Sequence, residues 1–128
     1  MTSRPLFDST LVLRATLFII LITHSIPGMF DGGVQSFGND YLNAIGFAPF
    51  GVPLAWAIKL SHVVCAVALL LRRYVRVAAI ITIAILVMGI ILVHYPEGWF
   101  VVGGGRNGME YNVLLISVLV YLMLIESK

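Results

Sequence analysis

Charge is what this sequence has least of. Of its 128 residues only 11% are Asp, Glu, Lys or Arg, and eight Lys and Arg against six Asp and Glu leave a net charge of +2. A nucleic-acid surface needs a basic face, and this composition does not supply one. Soluble domains carry about a quarter of charged residues, so an ordinary soluble domain is excluded too. The single cysteine, Cys65, rules out an internal disulfide and a thiolate metal cage. No N-glycosylation acceptor, lipidation motif, internal repeat or low-complexity tract is present. What abounds is apolar: 60% of residues are hydrophobic and the mean hydropathy is +1.02. That excludes disorder and leaves a small integral membrane protein.

Length then decides what each apolar stretch is. About 30 Å of hydrocarbon at 1.5 Å per residue needs roughly 20 residues. Stretches of that kind run over about 10–26, 53–71, 74–94 and 110–125, the first stopping at Pro27-Gly28 and the third before Pro96. The expected fold is all-α, a four-transmembrane-helix bundle forming a single membrane domain over 1–128. Asp8 and the lack of a small-residue cleavage site argue against a cleavable signal. In the first outer loop, Val34, Phe37, Tyr41 and Ile45 recur at helical spacing. This stripe predicts a short helix lying in the interface, apolar face down. The second outer loop carries Trp99 and Phe100, suited to a membrane-interface belt, and then Gly103-Gly104-Gly105. The glycine run lacks the Lys and Ser/Thr of a phosphate-binding loop and reads as a turn.

The cations set the expected topology. Arg72, Arg73 and Arg76 crowd the link between spans two and three, Arg4 and Lys128 flank the termini, and Arg14 can snorkel back to the same side. The outer loops hold Arg106 with Asp31, Asp40 and Glu97. The positive-inside rule therefore puts both termini in the cytoplasm of a bacterial inner membrane.

Ionisable groups inside a span are costly and mark function by default. Lys59 and His62 lie about 9 and 14 Å beyond Pro53 at 1.5 Å per residue, and Cys65 follows on the same stripe. Cys65 reads as a small buried hydrophobe. His24, His94, Arg106 and Glu110 join Lys59 and His62 from the same side, so the polar groups are expected in the outer half. Two readings of Lys59 stand together: an ion pair with Glu110 that fixes helix register, or a functional charge. The histidines come from three spans but show no metal-ligand spacing, so no metal is expected. A neutral imidazole can both donate and accept a proton, which suits proton transfer or contact with a quinone carbonyl.

The order of these features resembles the DoxX-like family of small membrane proteins. Arg14 and then His24 with Pro-Gly behind it resemble the family's opening. His94, Gly98-Trp99-Phe100, the glycine run and Asn107-Gly108-Met109-Glu110-Tyr111 resemble its late segment. The chain departs from the pattern in span two, where Lys59-Leu60-Ser61-His62-Val63-Val64 replaces an acidic residue followed by glycines, losing small-residue packing there. The resemblance implies a four-helix membrane bundle, and for some relatives a place in thiosulfate:quinone oxidoreductase or another quinone-linked system. In that picture His24, His62 or His94 contacts a quinone carbonyl, Lys59 steadies developing negative charge, and Glu110 relays protons or holds Lys59. The chain has no flavin, haem or iron–sulfur motif, so electrons come from a protein partner in a membrane complex. Two other readings remain open: a non-catalytic accessory subunit that stabilises a larger complex, and a small transporter or permeability factor.

Overall fold

The computed structural model describes residues 5–103 and 106–126, so Arg4, Lys128, Gly104 and Gly105 lie outside the described residues. Helices α1 (Leu11–Thr23), α2 (Ile26–Asp31), α3 (Gly33–Ser36), α4 (Gly51–Leu70), α5 (Val75–Gly89) and α6 (Glu110–Glu126) make the described chain all-α. Wide π-type turns continue α3 over Phe37–Phe47 and α5 over Ile90–His94, and a 3-10 turn follows at Tyr95–Glu97. Three stretches are long and apolar enough to cross a bilayer: Leu11–Asp31, Gly51–Leu70 and Val75–Glu97. This is a multi-pass membrane protein. The first stretch runs past Pro27 instead of stopping there, because Pro27 falls at the start of α2, where a missing N–H costs nothing. The chain forms two compact units, Met1–Arg73 and Tyr74–Lys128.

In the first unit α1 and α4 run antiparallel, with Arg14 beside Leu70 at one end and His24 beside Lys59 at the other. Arg14, Leu17 and Leu21 are buried from α1, and Ala55, His62, Cys65, Ala66 and Leu69 from α4. Span two thus keeps a small-residue face after all. It is built from Gly51, Ala55, Cys65 and Ala66 rather than from glycines after position 62, and it lets the helices approach closely. Ile19, Leu60 and Val64 point outward, as lipid-facing positions of a membrane helix do.

The helix predicted in the first outer loop exists, but its apolar stripe is turned onto protein. Val34 and Leu42 are buried with Ala55 of α4, and Phe37, Tyr41 and Trp56 pack around them, while Ile45 stays exposed. The crossing is too close for any side chain at Gly38, where a Cβ would sit 2.5 Å from the Cα of Val52. Gly51 N–H donates to Asn43 Oδ1 at 2.8 Å, which fixes the register of the crossing.

Arg14 is not a snorkelling anchor: it is fully buried. A charge there is tolerable only if its donors are used. Nη1 donates to the carbonyl of Leu70 at 2.7 Å, Nε to Thr10 Oγ1 at 3.1 Å, and Nη2 to the carbonyl of Leu6. Asp8 supplies the opposite charge, 3.8 Å from Arg14 and 2.5 Å from Arg72 Nη1. Arg72 also donates to the carbonyl of Pro5 at 2.6 Å. The segment before α1 is thereby clasped to the end of α4.

In the second unit α5 packs on α6, burying Ala78, Ala79 and Thr82 from one and Leu115, Leu119 and Leu122 from the other. Asn112, buried in α6, donates to the carbonyl of Leu86 at 3.2 Å just before α5 widens. The loop folds back on itself: Met109 N–H donates to Gly98 O and Glu110 N–H to Trp99 O, each at 3.0 Å. Gly108 is buried under this pairing, and a Cβ there would meet the carbonyl oxygen of Phe100 at 2.5 Å.

The clasp gives a pH signature. The hydrogen bond from the Thr10 hydroxyl, then that from Arg72, hold the Asp8 carboxyl well below its ordinary value of 3.8. Since its pKa falls on folding, its contribution is fully present above the unfolded value and is lost as pH falls through the folded one. Limited proteolysis within residues 5–10 is expected to be flat near neutrality and to rise only in acid. Asp8→Asn should show the faster cleavage already at neutral pH. Cleavage of wild type and variant at the same rate would show that Asp8 does not hold the clasp.

Candidate functional site

The polar residues of the first unit gather at an interruption of the first span. Continuing α1 would require an N–H from Pro27 to the carbonyl of Thr23, and proline has none. The helix stops at Thr23 and resumes at Ile26, with Ser25 N–H reaching only to Ile22 O, at 3.1 Å. Water cannot reach backbone groups in hydrocarbon, so they are satisfied internally. The carbonyl of His24 accepts from Lys59 Nζ at 3.1 Å. The ammonium also lies over the ring of Phe37, 5.4 Å from its centroid. Lys59 therefore takes a carbonyl and an aromatic face inside its own unit.

This arrangement leaves capacity unused. An ammonium has three N–H groups, and one donates to a protein acceptor among the described residues. One turn further along α4, His62 is buried and its Nδ1 has no hydrogen-bond partner. Ser25, fully buried at the break, and Ser61, next to His62, each carry a hydroxyl oxygen without a partner. Buried polar atoms are nearly always paired, and a group of unpaired ones points to an unfilled hydrogen-bonding role. Cys65, one turn beyond His62, is a buried free thiol on an otherwise apolar face, a packing residue as expected.

The remaining candidates belong to the second unit and find local partners. His94 Nδ1 lies 2.7 Å from the carbonyl of Asn107, which fixes that nitrogen as the protonated one and leaves Nε2 as an acceptor. Arg106 pairs with Glu97 at 2.8 Å, an exposed ion pair of the kind worth about 0–1 kcal/mol. Glu110 accepts from Val102 N–H at 3.4 Å. The sequence reading overlooked Ser25, Thr10 and Asn112, and it placed Phe37 in the apolar stripe of the loop without its contact to Lys59. Asn112 was visible as a lone amide in an apolar run. Phe37 and Ser25 acquire roles only through the fold of the loop and the break.

Comparison with known proteins bears on the same segment. A family model described as DoxX matches residues 9–95. The chain belongs to the DoxX family. No curated protein matches it, and no solved structure does. The DoxX match takes in His24, Lys59, His62 and His94 and stops short of Arg106 and Glu110. It therefore rests on the first three spans, and the stretch 107–111 lies beyond it.

If Lys59 holds the broken span, its removal should be felt at the break. Lys59→Met removes the ammonium's hydrogen bond to the His24 carbonyl, a loss of about 0.5–1.5 kcal/mol. Amide hydrogen exchange over residues 24–33 is expected to quicken, while exchange in the middle of α6 stays unchanged. Lys59→Arg should restore much of the protection. Equal protection in Lys59→Met and wild type would show that the carbonyl has another donor.

Proposed function

We propose that this DoxX-family protein is the membrane subunit of a quinone-linked redox system and that Lys59 and His62 receive a quinone carbonyl. The observation that carries this reading is the pairing of unused Lys59 N–H groups with an unpartnered, buried His62 Nδ1 one turn away. A quinone is an apolar ring with two strong acceptors, and reduction puts negative charge on those oxygens. The ammonium of Lys59 stabilises that charge, and the imidazole of His62 holds or passes a proton at Nδ1. The ring of Phe37, already facing Lys59, offers an apolar wall. The Ser25 and Ser61 hydroxyls are available to orient the second oxygen. Electrons come from a partner protein that carries the redox group, and this chain supplies the membrane-embedded site. The same reading takes α6 as a fourth span. Its 17 residues cover about 25 Å, at the short end of what crosses. Four spans with the arginine link inside put both termini in the cytoplasm.

Two measurements check this. In a Trp99→Phe background, Trp56 is one turn from Lys59 and reports on the site. Short-chain ubiquinone added to the protein in lipid nanodiscs is expected to quench its emission saturably, with affinity weakened at least tenfold in Lys59→Met and His62→Ala. Linear quenching, identical in all variants, would overturn the quinone site. If a larger partner also co-purified, the accessory-subunit reading would take its place. For topology, green fluorescent protein fused at the C-terminus should fluoresce and alkaline phosphatase there should stay inactive, and the reverse pattern would remove either the fourth span or the assigned orientation.

A further inference from the structure

The second unit holds a groove that the quinone reading does not use. Val101, Val102, Tyr111 and Leu114 form its walls and Glu110 its one charged group, around a space of about 370 Å³. That volume is within the range of small-molecule pockets, roughly 300–1,000 Å³. The carboxylate of Glu110 is half-buried among apolar side chains, and among the described residues its one hydrogen bond is the long contact from Val102 N–H at 3.4 Å. The nearest cation in sequence, Arg106, is engaged with Glu97 through both Nε and Nη2. No ion pair reaches Glu110 among the described residues. Its position is nevertheless fixed. The backbone N–H of Glu110 is tied to Trp99 O, Met109 N–H is tied to Gly98 O, and the buried Gly108 admits no side chain between the strands of the loop.

A held carboxylate in an apolar wall, without a counter-charge among the described residues of its own unit, selects its ligand by chemistry. A neutral apolar molecule would desolvate the carboxylate and return nothing for it. An anion would be repelled. A cation whose charge sits on an apolar body satisfies both parts, since the body covers Val101, Val102 and Leu114 while the charge meets Glu110. The Tyr111 ring adds a face that favours cations. We propose that this groove is a binding site for lipophilic cations of the ammonium or phosphonium type, carried by Glu110. It stands apart from the quinone site, which is built from the first unit, and either can fail without the other.

Tetraphenylphosphonium is a suitable probe, measured by equilibrium dialysis against the full-length protein in phosphatidylcholine nanodiscs, with empty nanodiscs subtracted. Saturable binding is expected, weakened at least tenfold in Glu110→Gln and retained in part in Glu110→Asp. Leu114→Trp, at an exposed rim position, should abolish binding by filling the groove while leaving the carboxylate in place. It keeps the test decisive if Glu110→Gln does not fold. Binding of equal strength in wild type, Glu110→Gln and Leu114→Trp, or no saturable binding to wild type, would overturn the proposal. The Trp56 quenching assay reads the other site, so its outcome is independent.

Discussion

A helix in hydrocarbon cannot leave a carbonyl open, and much of this protein's polar chemistry follows from that constraint. At three helix irregularities a side chain from a neighbouring helix donates to a backbone carbonyl. At the break before Pro27, Lys59 meets the carbonyl of His24. The end of α4 opens Leu70, and Arg14 meets it. The passage of α5 into wider turns is accompanied by Asn112 on Leu86. These donors are among the few polar side chains within long apolar runs, and each works at an irregularity of its neighbour. Side chain and irregularity are therefore one device, split between two helices.

The device has an electrostatic consequence. A carbonyl satisfies a hydrogen bond but does not neutralise a charge. Arg14 and Arg72 share Asp8, so the clasp sets one negative charge between two positive ones. Within its own unit Lys59 has a carbonyl and an aromatic face and, among the described residues, no carboxylate. Glu110 is the converse case, a carboxylate held by backbone with Arg106 turned to Glu97. Burying an uncompensated charge is unfavourable for folding alone. Lys59 and Glu110 are half-buried charges that, among the described residues of their own units, have no partner of opposite charge.

How much of this the sequence showed depends on the length scale of each feature. Span-length hydropathy is an average over some twenty residues, and it located Leu11–Asp31, Gly51–Leu70 and Val75–Glu97 to within a few positions. The helical stripe in the first outer loop was legible for the same reason. What it packs against was not, because the partner surface depends on Gly38 meeting Val52, a contact between remote residues. Lys59 and His62 stood out as ionisable groups in a span. The partner of Lys59 was hidden because it is a backbone carbonyl, which every residue has and no residue type announces. Arg14 misled for a similar reason: its depth fitted snorkelling, and the acceptors that hold it buried are carbonyls of Leu6 and Leu70.

The extent of the family match separates the two charged sites. Residues 9–95 contain the broken first span, the α1–α4 pair and its unpartnered polar atoms, so these lie within the stretch that the DoxX model matches, while Lys59 and His62 themselves stand where the chain departs from the family pattern. The loop that positions Glu110, and α6 itself, fall beyond it. The family match gives that stretch an architecture, and a fold alone does not assign a reaction. The Glu110 groove has no such support and stands on its geometry alone. A small membrane chain has little interior to spare for a cavity between well-packed helices. Both proposed sites lie where packing is interrupted, at a proline break in one unit and a folded-back loop in the other.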